Sequence, residues 1–265
     1  MDPSFWLKLG LSFVVGSVWV TLSTLAAERY GSRIGGLIGG LPSTAVVSLL
    51  FIGYTQTPRA ASEAATVIPL VQGLNGLFVI IYLQFVRRGL VFGLSSALLA
   101  WFILTSILVA SGLRSFWVSV VGWLLLAAVC YLVVERWMKV PSQGKTRASY
   151  APSQIAYRAL FGGAIITFAV LMGKLGGPIY GGVFATFPAM FLSTLAVTYR
   201  AGGAEFSRAV AKALMISGLI NVPLYAIVVR WLYPGLGLAY GTAIALLFSC
   251  GTGYLTFLFM RARLS

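Results

Sequence analysis

The 265-residue chain has no histidine, two cysteines and only five acidic residues. The missing histidine excludes imidazole-held metals, His-ligated heme and catalysis by imidazole. Cys130 and Cys250 lie inside apolar runs, where cysteine serves as a small packing residue rather than a disulfide or redox partner. Asp2, Glu28, Glu63, Glu135 and Glu205 all fall near the ends of apolar runs. No mid-span carboxylate is therefore available for proton or sodium coupling, or to supply the charged oxygens a divalent cation needs. P-loop, CxxC, DxD and HxxxxD motifs are absent, so neither an enzyme nor a cofactor is expected. Charged residues make up 9% of the chain, against about 25% in soluble domains.

What the chain has in abundance is apolar sequence, 59% of it, with a mean hydropathy of +0.95. A membrane span takes about 20 apolar residues. The runs predict nine helices, over Phe5–Ala26, Ile34–Tyr54, Ala64–Val86, Leu90–Ser111, Phe116–Val134, Ile155–Leu175, Pro178–Tyr199, Val210–Leu232 and Gly237–Met260. The expected fold is an all-α polytopic membrane protein. Its longest polar stretch, Glu135 to Ser153, is too short to build a soluble core. The run opening at Phe5 outlasts a signal peptide and lacks a basic leader, so it is taken as the first span.

Alternation of these spans puts fourteen of the 19 Lys and Arg on one side, including Arg87, Arg158, Arg200, Arg208 and Lys212. Lys8, Arg59, Arg114, Lys174 and Arg230 remain on the other. The positive-inside rule makes the richer side cytoplasmic, with the N-terminus outside and the C-terminus inside a prokaryotic cytoplasmic membrane. The net charge of +14 forms no basic stripe. It points to anionic membrane lipids and not to nucleic acid.

A shift of 146 lays the chain on itself. Gly31, Gly35, Gly36 and Pro42 meet Gly177, Gly181, Gly182 and Pro188, and Asn75 meets Asn221. The division implied is a first repeat over 1–111, a linking helix and basic loop over 112–153, and a second repeat over 154–265. An odd helix between two four-helix units inverts the second, giving a 4+1+4 arrangement about an axis in the membrane plane. Such inverted repeats typify secondary transporters, whose sites lie near midplane.

The second half reads GGVFATFPAMFLSTLAVTYRAGGAEFSRAVA, with Phe187-Pro188 followed by a polar turn carrying Glu205 and Arg208; the first places Leu41-Pro42 before a turn carrying Glu63. In this segment each half resembles the GlpM-like small inner-membrane proteins, four-helix proteins of about half this length. The resemblance implies a duplicated and fused unit and leaves the fifth helix unexplained. That family is loosely associated with glycerol phosphate metabolism and brings no established activity.

Candidate site residues follow from helix chemistry. Glycines around Gly36 and Gly182 loosen a helix, and Pro42 and Pro188 each remove a backbone donor. Either the helices break there, with Ser43, Thr44 and Thr186 beside freed N–H groups that favour an anion or polar oxygen, or they bend continuously around Gly-x3-Gly packing faces. Asn75 and Asn221, with Gln72 and Ser217 about one turn away, are polar groups at membrane depth. They either line a site or bond between helices. Arg59–Glu63 and Glu205–Arg208 are surface pairs or gates at the mouths, and Lys212 either snorkels outward or meets an entering anion. Tyr180, Tyr225 and the seven Trp are expected at the interface or in packing.

Together these favour a transporter moving a small anionic or neutral polar solute. A lipid or polyprenyl-phosphate flippase or scramblase is a second reading, and a passive channel or scaffold subunit a third. The glycine-rich faces also permit a homodimer.

Overall fold

The computed structural model describes residues 3–29, 42–140 and 151–263. Among the described residues the chain is helical throughout, without strands. The elements are α1 (Pro3–Arg29), α2 (Ser43–Thr55), α3 (Pro58–Ala64), α4 (Ile68–Phe85), α5 (Leu90–Ala110), α6 (Phe116–Leu132), α7 (Pro152–Leu175), α8 (Pro178–Ala185) and α9 (Ala189–Arg263). Short 3₁₀ and π turns, Val86–Arg88 and Val133–Trp137, follow α4 and α6. Proline opens α3, α7 and α8, where its missing N–H is no loss. At α3, the Thr57 side chain also accepts the Ala60 N–H.

Six helical stretches are long and apolar enough to cross a membrane, and α2 is a shorter apolar helix. This is a multi-pass membrane protein in composition and in build. The nine expected runs and the six long stretches differ mainly at the end of the chain. There one stretch of 79 residues, Pro178–Thr256, takes in three of the expected spans. Gly203 and Gly237, at φ 74° and 73°, are non-helical inside it. Glycine alone adopts that left-handed backbone without strain, so the two divide α9 into 189–202, 204–236 and 238–263.

Burial sorts the helices. In the stretch Pro58–Arg88, 78% of the apolar window is buried, against 22% in each of α5 and the α6 stretch. α4 is thus the protein's centre. α1, α5, α6 and 238–263 carry the exposed apolar side chains, among them Leu7, Leu99, Leu125 and Leu255, that suit contact with lipid.

α1 packs along α7, and their contacts run in opposite order. Ser12 meets Thr167, Gly16 meets Ile166, Val20 meets Gly162 and Thr24 meets Arg158. The two helices are therefore antiparallel. A Cβ on Gly16 would lie 2.7 Å from Ile166, and one on Gly162 would lie 2.7 Å from Val20. A shift of 146 exchanges these two contacts, the reciprocity expected of a two-fold relation. A looser correspondence, offset by one residue because the position equivalent to Arg230 is Gln84 and not Leu83, involves α3, α4 and 204–236. Ser62 and Arg230 hydrogen-bond at 2.8 Å, while Arg208, 146 beyond Ser62, donates to the Leu83 carbonyl at 2.8 Å.

Candidate central cavity

Two helix starts meet at the protein's centre. Pro42 precedes α2, whose first turn has no side-chain cap, and the first bond of that helix runs from Val46 N–H to the Pro42 carbonyl at 2.8 Å. In the second half the chain leaves α8 at Thr186, passes Phe187 and Pro188, and re-enters helix at Ala189. There the Leu192 N–H returns to the Pro188 carbonyl at 2.9 Å. The backbone at Pro188 is interrupted and not smoothly bent, because a proline ring cannot sit against the preceding turn. The first N–H groups of α2 and α9 lack intrahelical acceptors, as at any helix start. Both positive dipole ends face the same region.

Between these starts lies a cavity of about 40 Å³, lined by Pro42, Ser43, Thr44, Gln72, Asn75, Thr186 and Pro188 together with Phe187, Met190, Phe191, Gly218 and Val222. That volume holds roughly one to three water molecules. Residues 146 apart face each other across it: Pro42 and Pro188, Thr44 and Met190, Gln72 and Gly218. Asn75 donates to the Gln72 side-chain oxygen and to the Thr186 carbonyl, both at 2.9 Å, and accepts from the Trp101 indole N–H at 2.7 Å. Both amide hydrogens of Asn75 are used, so it is a fixed strut. The Ser43 and Thr44 hydroxyls and the Gln72 amide nitrogen make no hydrogen bond to described residues. They are the groups free to meet a ligand.

Other candidates lie elsewhere. Asn221 is buried outside the cavity lining; it donates to Ser217 at 3.1 Å and accepts from Thr252 at 3.2 Å. Gly182 is a packing position, since a Cβ there would collide with the Ala64 carbonyl. Gly36 lies outside the described residues. Arg59 and Glu63 form a 3.9 Å pair, with side chains 86% and 53% exposed.

Glu205 binds Arg87 at 2.8 Å and approaches Arg208 at 3.6 Å. Arg208 is buried, which corrects the surface-pair expectation for it. Lys212 does not snorkel: it is buried, 2.6 Å from Glu135 and 2.9 Å from the Val140 carbonyl. Both partners come from the stretch that follows α6, which has no counterpart in the repeat.

Trp101, expected in packing or at the interface, is buried with its ring on Phe187 at a centroid distance of 5.1 Å, and its N–H also holds Asn75. A sequence signal for it exists. Gly93, Ala97, Trp101, Thr105 and Leu108 form one buried stripe of α5, and its small residues mark the protein-facing side.

Among the described residues no group of three acidic or cysteine side chains could hold a metal. Among the described residues, fold and cavity together define an all-helical, multi-pass membrane protein with a small polar pocket between two helix starts. Residues 9–111 match the sequence model of a family described as a protein of unknown function (DUF3147). No curated protein and no solved structure matches the chain.

Proposed function

We propose that the chain is a transporter, built as a duplicated and inverted four-helix unit around a linking helix, that carries a small anionic or neutral polar solute through the central cavity. The observation that carries this reading is the meeting of α2 and α9 starts at one cavity whose free polar groups are Ser43, Thr44 and the Gln72 amide. Donors of this kind suit a polar oxygen or an anion. The antiparallel α1–α7 pair and the exchanged contacts support the inversion. One four-helix unit would rock against the other, in a prokaryotic cytoplasmic membrane with the arginine-rich end inside.

Each end has its own latch. Ser62–Arg230 ties α3 to 204–236 at one end; Arg208 with Leu83 and Glu205 does so at the other. With both formed, the solute path is shut at both mouths. Alternating access then requires the latches to open in turn.

The test is the unfolding temperature of purified protein titrated with small anions and with phosphorylated and neutral polyols. Binding to the folded state raises it with concentration. A solute that stabilises wild type but not Asn75→Ala, and that crosses proteoliposome membranes, bears the reading out. Scrambling of labelled lipid with no solute effect would replace it by the flippase reading.

A further inference from the structure

Arg208, at the arginine-rich end, is 5% exposed, and its guanidinium is only partly used. Nη1 donates to the Leu83 carbonyl at 2.8 Å. Nε is buried without an acceptor, and among the described residues Nη2 makes no hydrogen bond either. Nε and Nη2 form the edge of a guanidinium that takes a carboxylate through two parallel bonds. The carboxylate nearest that edge is Glu205, whose Oε2 stands 3.6 Å from Nε, too far for a hydrogen bond. Its Oε1 accepts from Arg87 Nε at 2.8 Å, and these two side chains are half exposed or more. Arg87 thus holds Glu205 toward solvent, in front of a buried cation whose edge it does not fill.

A buried donor left without an acceptor costs free energy, so an unfilled guanidinium edge calls for an explanation. Ser62, 146 before Arg208, has no such gap: it donates to the Arg230 carbonyl at 2.7 Å and accepts from Arg230 Nη1 at 2.8 Å. Beyond Arg208 the surroundings stay polar. Tyr82 lies on α4 between Leu83, which Arg208 holds, and Asn75 at the central cavity. Its hydroxyl bonds to that of Ser207 at 2.6 Å. Ser207 also accepts from Thr198 and donates to the Leu195 carbonyl, each at 3.1 Å. Thr198 and Leu195 belong to the 189–202 segment, which meets the cavity at Met190 and Phe191. The positions 146 away from Tyr82, Ser207 and Thr198 are Val228, Ala61 and Ile52, all apolar. Hydroxyls therefore continue from the Arg208 level toward the cavity at one end and have no counterpart at the other.

We propose that the free edge of Arg208 is a binding site for the carboxylate of an organic acid, and that Glu205 is its built-in competitor. The class follows from the group already standing there, which is itself a carboxylate. The incoming one accepts from Nε and Nη2, while Arg87 keeps Glu205 aside. Binding here stands by itself; passage onward to the central cavity rests on the transport reading.

Purified full-length protein in detergent is titrated with sodium malonate and, separately, with inorganic phosphate, with chloride at matched ionic strength as control. The expected result is a saturable rise in unfolding temperature with malonate. Glu205→Gln keeps the side chain's size and removes the competing charge, so it should lower the half-saturating malonate concentration about tenfold. Adding Arg208→Lys to that variant keeps a cation but removes the planar fork, and should abolish the response. Arg87 is exposed, so adding Arg87→Gln instead keeps the test valid where Arg208→Lys fails to fold; the loss of the second cation should raise the half-saturating concentration several-fold. Adding Asn75→Ala should leave it unchanged. An equal response to chloride, a response to phosphate without one to malonate, or no saturable response would overturn the proposal. So would a Glu205→Gln curve lying on wild type, a full response with Arg208→Lys, or one lost with Asn75→Ala. An Arg208-dependent response without flux of malonate or any other solute into proteoliposomes would retain the site and sink the transport reading.

Discussion

The two halves of the central cavity stand in register, yet they furnish it differently. The first half sends in side chains: Ser43, Thr44, Gln72 and Asn75. The second contributes the Thr186–Pro188 backbone, apolar Met190 and Phe191, and at Gly218 no side chain at all. The two choices are linked, because a Cβ on Gly218 would lie 2.9 Å from the Gln72 amide nitrogen. One half has withdrawn to make room for the other. On the proposed duplication, the two halves would keep a backbone relation while dividing roles, one supplying polar side chains and the other a wall.

Breaking the first half should have the largest effect. Asn75→Ala removes three hydrogen bonds at once, each worth about 0.6 kcal/mol and at most nearly 2 at membrane depth. We expect a loss of about 2 kcal/mol, read as a lower unfolding temperature, together with loss of solute-dependent stabilisation. Arg208→Ala comes next. It leaves the buried Leu83 carbonyl without its donor and Glu205 with one cation fewer, a cost of about 1–3 kcal/mol. Ser62→Ala, at the equivalent position, should cost less, since Arg230 is only partly buried.

A swap tests the linkage itself. Gly218→Gln alone overfills the cavity and Gln72→Gly alone empties it, so each should lower the unfolding temperature. The double variant Gln72→Gly/Gly218→Gln returns one amide to the same space from the opposite side. Recovery of most of the loss in the double variant is the coupling expected of residues in contact; simple additivity would break the link drawn between them.

Asn221→Ala sharpens the comparison from the other side. It gives up bonds to Ser217 and Thr252, about 1 kcal/mol in all, and should leave ligand stabilisation unchanged because Asn221 does not line the cavity. The repeat pairs Asn75 with Asn221, and sequence alone gives them one role. They part because Thr252, on the last helical segment, supplies Asn221 with a neighbour inside its own half. Pro42 stands at the start of α2, and the interruption at Pro188 was legible, since proline chemistry acts locally there. So was the grouping of Ser43, Thr44, Gln72, Asn75 and Thr186 around it. Trp101 was not picked out, because an indole in an apolar run looks alike whether it faces lipid or protein until the small-residue stripe of α5 is followed. The burial of Lys212 was out of reach for another reason. Its partners Glu135 and Val140 follow the linking helix, and no internal symmetry predicts where that helix docks.

The smallest effect expected is that of Arg59→Ala. Arg59 and Glu63 stand 3.9 Å apart with most of the arginine in solvent, a geometry in which ordering two long side chains offsets the attraction. No measurable change in unfolding temperature is expected, and none in solute-dependent stabilisation. Set beside Arg208→Ala, the result separates two uses of charge in one molecule. Arg208 is buried and holds a carbonyl of α4, so its removal frees a helix end, whereas Arg59 holds only its own helical neighbour. If Arg59→Ala lowered the unfolding temperature as far as Arg208→Ala, the latch at that end would be the Arg59–Glu63 pair and not Ser62–Arg230, and the exchange of contacts between the two ends would lose its mechanical meaning.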